Sequence, residues 1–347
     1  NTSLTWEQTS RFTAGFETNL FNNIVNLKFD VFSSKTTDLL MLHQLAYTSG
    51  LRQMWGNDGS LKNKGFDLSV NMKLLNLKDW QWELGGSMGH YKNEMTKLPD
   101  GNKAQEHTIY GADVLTAVGG PVAQFYGYRT AGVFSTQAEA DAAGLYLIDD
   151  NGNRQYFKAG DMRFVDQNGD HLIDARDKVV IGDPNPDIYG NINTSLTWRH
   201  WNLDIVFNYV LGNDVFNYQR SVLEGGNDFI NQTTAMLGRW NAEGQQTQVP
   251  RIEYNDPMGN SRFSDRWIED GSYLRLKALT LSYQMPLNLM FLRGFTIWGS
   301  IYNLFTLTHY LGDDPDCSLS GSVLSQGIDR GLLGNGRSFS LGLKLNL

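Results

Sequence analysis

The sequence predicts an all-β protein: an antiparallel transmembrane β-barrel to which this chain contributes about nine strands. Three observations carry that expectation. Apolar and polar residues alternate with period two through most candidate strands. Those strands run about ten residues or more, the length a tilted strand needs to cross a bilayer. The connections are short and long in strict alternation, the rhythm of an outer-membrane barrel with tight turns on one side and long loops on the other.

The elements follow in order. A strand of less regular pattern lies near 11–20. Val25, Leu27, Phe29 and Val31 then share a face opposite Asn26, Lys28 and Asp30. Phe66, Leu68, Val70 and Met72 alternate with Asp67, Ser69, Asn71 and Lys73. Trp80, Trp82, Leu84 and Met88 oppose Gln81, Glu83 and Ser87. Ile192, Thr194, Leu196 and Trp198 oppose Asn191, Asn193, Ser195 and Thr197. Trp201, Leu203, Ile205, Phe207 and Tyr209 oppose Asn202, Asp204 and Asn208. Two further strands fall near 272–284 and 294–306, and Phe339, Leu341, Leu343, Leu345 and Leu347 mark the last. Short connections sit near 21–23, 75–78, 199–200 and 285–293; long ones near 39–64, 93–187, 213–271 and 307–336. Short helices are expected in 135–144 and 228–240. Trp6, Trp80, Trp198, Trp201 and Tyr283 fall at strand ends, where an interfacial girdle belongs. A soluble sandwich with one wet face yields the same alternation. It does not explain the loop rhythm, and it leaves the large apolar side chains uncovered. In lipid a sheet must close, and single-chain bacterial barrels generally have even strand numbers. Nine strands with an open first edge are therefore expected to be the C-terminal part of a larger barrel.

Composition removes other classes. The 347 residues carry a net charge of −8, which gives no electrostatic case for nucleic-acid binding. No apolar run approaches the roughly 18 residues of a spanning helix. The lone Cys317 allows no internal disulfide, and no Cys/His metal spacing occurs. The chain starts at Asn1 with no visible signal peptide, so either that segment was cleaved or the chain is a piece of a longer one. The six histidines are scattered, and no zinc-protease, nucleophile-elbow, P-loop or dinucleotide motif appears. No catalytic residue is assigned, and an enzyme is not expected. Acidic runs such as Asp313-Asp314-Pro315-Asp316 read as solvated turns.

One stretch departs from the strand pattern: FVDQNGDHLIDARDK, residues 164–178. Asp166, Asn168, Asp170, Asp174 and Asp177 occupy positions 1, 3, 5, 9 and 12 of an EF-hand-like schedule, with the Leu172 carbonyl at 7. His171 stands where that turn takes Gly, Asp177 replaces the usual Glu, and no flanking helices are evident. Two readings stay open: a structural calcium loop, or a loop of Asx-turns satisfying its own backbone. In either case no cofactor is required for function.

Several segments together resemble the SusC/RagA family of TonB-dependent outer-membrane transporters. They are LKNKGFD at 61–67, FYGYRTAGVF at 125–134, then Gly160-Asp161, DQNGD at 166–170 and IGDPNP at 181–186. WIEDGSYLRLK at 267–277 and NLFTLT at 303–308, followed by Tyr310 and Asp314-Pro315, complete the series. They span nearly the whole chain in family order, and Ser340, Gly342, Leu345 and Leu347 resemble the terminal strand signal read by the barrel-assembly machinery. That signal commonly ends in Phe, and Leu347 departs from it while staying apolar. The resemblance implies a 22-stranded barrel with long extracellular loops, whose plug domain, TonB-contacting segment and earlier strands are absent from this sequence. It implies a SusD-like surface lipoprotein as partner, outer-membrane lipid around the wall, and glycan or peptide cargo.

Three functions are weighed. The first is nutrient import, with Asp67, Asn71, Asn193 and Asp204 lining the lumen and loops 93–187 and 213–271 meeting the lipoprotein. The second is a scaffold barrel in a larger envelope complex. The third is a soluble, secreted, calcium-stapled β-domain.

Overall fold

A computed structural model of the chain describes residues 4–45, 47–289 and 292–346. Its main sheet runs through nine antiparallel strands, each paired with its neighbour in chain order. They are β1 (Gln8–Leu20), β2 (Val25–Gln44), β3 (Gln53–Asn76), β4 (Trp80–Lys97) and β5 (Ile188–Trp198), then β6 (Trp201–Leu211), β7 (Tyr273–Leu289), β8 (Leu292–Tyr302) and β9 (Ser338–Asn346). The expected terminal residue Leu347 lies outside the described residues.

Register decides which side chains share a face. Phe16 faces Phe29, Phe29 faces Leu68, and Leu68 faces Met88. On the other half, Leu203 faces Leu196 and Leu281, Ile297 faces Tyr283 and Leu343. Because side chains alternate strictly along a strand, every one of these falls on one side of the sheet. That side is bare: Phe339 is 72% and Leu341 79% exposed. Contiguous apolar surface of this extent needs cover that water cannot give, and hydrocarbon supplies it. The row from Trp201 to Tyr209 spans about 26 Å along the strand, in keeping with the apolar band of an outer-membrane barrel.

Aromatics gather at the short-turn end. Trp80 stacks on Trp198 with ring centroids 5.7 Å apart, and Trp201 lies 4.7 Å from Tyr283. Trp82 Nε1 donates to Thr194 Oγ1 at 2.8 Å, so its polar edge is satisfied on an otherwise apolar face. Trp6 lies at the opposite end, ahead of β1. Glycines let some rings lie flat on the sheet. A Cβ at Gly190 would come within 2.8 Å of Tyr209 Oη, and one at Gly89 within 2.7 Å of the Tyr189 ring.

The strands run further than the sequence pattern indicates. Of the described residues in the segment 39–64 only 45 and 47–52 lie outside the strands; the rest extends β2 and β3, because paired backbone remains favourable outside lipid. Likewise most of 285–293 belongs to β7 and β8. The segment near 306 is a separate stretch, Thr306–Thr308, which still pairs with β7.

The long connections fold together into an external platform with cores of its own. One core gathers Phe134, Phe157, Met162, Phe164 and Ile173; a second gathers Val114, Phe125, Phe216, Trp267 and Ile328. The expected helix in 135–144 forms over Gln137–Ala143, capped by the Thr136 side chain and ended at Gly144 with φ +61°. In 228–240 only a 3-10 turn forms, Thr234–Gly238, while a helix at Tyr218–Leu223 was not anticipated.

The facing assignment predicts a sharp asymmetry between neighbours. Leu203→Arg should cost about 2–4 kcal/mol near the bilayer midplane, whereas Asp204→Asn should leave barrel stability within about 0.5 kcal/mol. Reversible unfolding of the intact barrel in lipid, followed by gel mobility, measures both.

Candidate functional site

The polar face of the sheet is built by the alternate residues of the same strands. Asn71 and Asn193 both flank Gly85, Asp67 faces Gly89, and Asp204 faces Ser195. The four residues expected to line the lumen therefore share one side. Their neighbours form ladders: Asn191 Nδ2 donates to Ser87 Oγ at 2.8 Å, and Asn202 Nδ2 to Asp204 Oδ2 at 2.6 Å. A cavity of about 470 Å³ opens on this wall beside Lys28, Asp30, Asp67, Ser87, Tyr189 and Asn208. Asp30 and Asp67 oppose each other directly, and Lys28 sits 3.5 Å from Asp30 as counter-charge. Mixed charge, amides and the rings of Tyr189, Tyr209 and Tyr273 suit a polar solute and do not select for one sign of charge.

Above the wall, buried ion pairs join segments distant in sequence. Asp161 is fully buried; its Oδ1 accepts from Arg251 Nε at 2.7 Å and Asn260 Nδ2 at 3.0 Å, and its Oδ2 from the Lys158 amide at 2.8 Å. Asp265 accepts the Thr130 amide and hydroxyl. Arg220 bridges Glu224 and Glu269 at 2.9 and 2.7 Å. Lys178 meets Glu106 at 2.5 Å and Asp113 at 2.8 Å; burial works against its charge, but the two carboxylates push it up to about 12. Burial and the nearby Arg220 bring Arg266 down to about 10. These connections were invisible in sequence, since the partners lie tens of residues apart and no local spacing marks them. One expectation is corrected: within the acidic run 313–316, Asp314 is buried, ion-paired with Arg275 and accepting the Asn335 amide.

The acidic loop lies on this platform. Asp166 accepts the amides of Gly169 at 2.7 Å and His171 at 2.8 Å. Burial raises its carboxyl, but those donors outweigh burial and hold it below the usual range. Asn168 accepts the Asp170 amide, Asp170 the Leu172 amide, and Asp177 the amides of Gln167 and Asp174. His171 takes φ +62°, supplying the left-handed turn that Gly gives in EF-hands. Ile173 is buried in the first platform core. The guanidinium of Arg176 lies 2.7 Å from Asp170 and 2.9 Å from Asp174, and its hydrogen bond to Asp174 lowers that carboxyl. Among the described residues no group of three or more His, Cys, Asp or Glu is arranged to hold a metal. Asn168 and the four aspartates of the loop instead spend their oxygens on the loop's own amides, and Arg176 stands between Asp170 and Asp174.

At the outer end of β6, Asp183, Asp187, Asp214 and Asp270 form a negative rim. Burial pushes the Asp214 carboxyl up; the Asp183 amide it accepts works against that, and the charges of Asp183, Asp270 and Asp187 add to the rise.

Comparison places this geometry. No family model matches the chain. TonB-dependent receptor P3 of Formosa agariphila is 30% identical over 99% of this chain and 34% of its own length. TonB-dependent receptor SusC of Bacteroides thetaiotaomicron is 26% identical over 99% of the chain and 32% of its own. The solved structure of the RagAB peptide transporter matches 99% of the chain and 36% of its own chain at 25% identity, with a TM-score of 0.77. The chain spans about a third of the length of these relatives.

Asp161→Ala should loosen the platform by about 1–3 kcal/mol, since it leaves Asn260 Nδ2 and the Lys158 amide without their acceptor while Arg251 keeps Glu253, yet leave the barrel intact. Limited proteolysis within 93–271, set against unchanged heat-resistant gel mobility, checks the split.

Proposed function

We propose, from the premise that this chain belongs to the SusC/RagA family of TonB-dependent receptors, that it forms part of the wall and outer vestibule of a pore importing a nutrient. The chain resides in the bacterial outer membrane as antiparallel strands. The observation that carries the import reading is the register itself: one continuous apolar face, one polar face, and a folded platform at the long-loop end only. A wall with that polarity encloses a hydrated path.

Finer assignments rest on the resemblance. A SusD-like lipoprotein would close over the platform. Energy would come from TonB, through parts of the receptor beyond this chain. The cargo is a glycan or oligopeptide; a mixed polar lining with Tyr189 suits both. Transport of this kind asks no bond-making of these residues. Deletion of the intact receptor should abolish growth on one such nutrient, and affinity-tagged receptor should copurify a surface lipoprotein. Normal growth on every candidate, with a stable complex of non-transport proteins, would establish the scaffold role instead.

The acidic loop takes calcium only in competition with Arg176. Asp166, Asn168, Asp170, the Leu172 carbonyl, Asp174 and Asp177 supply hard oxygens suited to the ion, but Arg176 already neutralises Asp170 and Asp174. Millimolar calcium should leave the melting temperature of the intact receptor unchanged and raise that of Arg176→Gln by several degrees. Calorimetry with calcium and with chelator measures the difference.

A further inference from the structure

The lipid-facing wall is not smooth. An apolar hollow of about 350 Å³ lies over Gly86, ringed by Val70, Leu84, Met88 and Ile192. Gly86 sits between Val70 and Ile192 on the neighbouring strands, and a Cβ there would meet nothing closer than the Asn191 carbonyl at 3.4 Å. A second hollow, about 890 Å³, shares Ile192 and Tyr209 with the first. It climbs past Leu211, Leu274 and Leu307 to a rim of Asp270, Ser272 and His309 at the platform end. Tyr209 donates to the Ser87 carbonyl at 2.9 Å, which fixes its ring against Gly190 and gives the groove a rigid side. From the level of Leu84, which faces Thr194 and through it Ile205, to Leu211 is about 20 Å along β6.

We propose that this groove holds an acyl chain of an outer-leaflet lipid whose headgroup carries a primary ammonium. The hollows are continuous with the face that meets the membrane, so the bilayer itself supplies the occupant. Their length and apolar lining match an extended hydrocarbon chain, which gains contacts here that a flat wall denies it. The rim sets the headgroup. Neither hollow is lined by Lys or Arg, and Asp270 stands at the top with Asp214, Asp183 and Asp187 close behind. Negative potential there repels a bare phosphate and attracts an ammonium. One oxygen of Asp270 is committed to the Ser272 amide at 2.8 Å, and the side chain lies at the surface. The inference depends on the membrane placement of the wall and not on the cargo.

The experiment uses the intact receptor, stripped of lipid in mild detergent and offered phosphatidylethanolamine or phosphatidylglycerol with the same acyl chains. Native mass spectrometry reads the lipid retained. Wild type should hold one phosphatidylethanolamine, about tenfold in preference to phosphatidylglycerol. Gly86→Leu fills the hollow outward and should cut retention about tenfold. Ile192→Trp fills it from the next strand and should do the same, so the outcome does not hang on one variant folding. Asp270→Asn keeps the acceptor for Ser272; it should erase the headgroup preference and preserve binding. Equal retention in wild type and both filling variants, or no headgroup preference in wild type, overturns the assignment.

Discussion

No peptide group can stay unpaired in hydrocarbon, and the rest of the structure follows from that rule. It is obeyed even where regular pairing fails. Between β6 and β7 the register slips at Val206/Phe207, leaving Lys277 as an extra residue. Just there the next strand bends, and the Asn303 amide finds the Lys277 carbonyl while the Leu276 amide finds that of Phe305. Asn303 takes φ +51° to make the turn. The pairing then resumes between Tyr273–Arg275 and Thr306–Thr308. The outer edges of β1 and β9 meet no strand among the described residues. A membrane sheet cannot keep such edges, so the barrel closes on further strands, as in solved relatives about three times as long.

Once the backbone is closed, side chains are free to divide by solvent. The apolar row through Leu68, Met88 and Tyr209 costs nothing in lipid and would be intolerable in water. That excludes the soluble calcium-stapled domain. The opposite row spends its polarity in cross-strand ladders, such as Asn191 to Ser87, which satisfy donors and leave no net charge of one sign. Where a large ring must lie flat, a glycine on the adjacent strand yields: Gly190 to Tyr209, Gly89 to Tyr189, Gly342 to Trp298. The same economy of bulk leaves Gly86 without a ring over it, and hence a hollow.

The nine membrane strands were legible because lipid enforces a period that nothing else in the chain competes with. Val25 to Val31 and Trp201 to Tyr209 could be read directly, and their register followed. Strand length was less legible, because the upper halves of β2 and β3 leave lipid and lose the alternation: Asp38 turns with φ +58°, and Gly56 and Gly59 pack against His43 and Met41. The platform was legible only in fragments. The Ala-rich run after Ser135-Thr136 announced a helix, whereas Tyr218–Leu223, though flanked by Asn217 and by Gly225-Gly226, holds Tyr, Ser and Val in place of such a run. The acidic loop showed its oxygens but not Arg176, whose role depends on how the chain turns back across Asp170. The pairing of Asp161 with Arg251, and of Arg275 with Asp314, depends on folding across 90 and 39 residues, and no single-sequence pattern encodes such a distance.

Those long-range bonds bear on how a pore of this kind can open. The platform is tied to the wall where Asn93 at the top of β4 bonds Asn185 and the Val122 amide, and its own connections are tied to each other where Gln326 bonds the Pro184 carbonyl. Arg275 of β7, buried, holds both Asp314 and Asp316. Lifting the platform off the wall would break these together and expose charges that are now desolvated, at a cost of several kcal/mol for each buried pair. Substrate entry by that route would need a binding energy that few small solutes possess. Wall and platform therefore form one fixed frame, and on the proposed import reading the motion that admits cargo lies outside it.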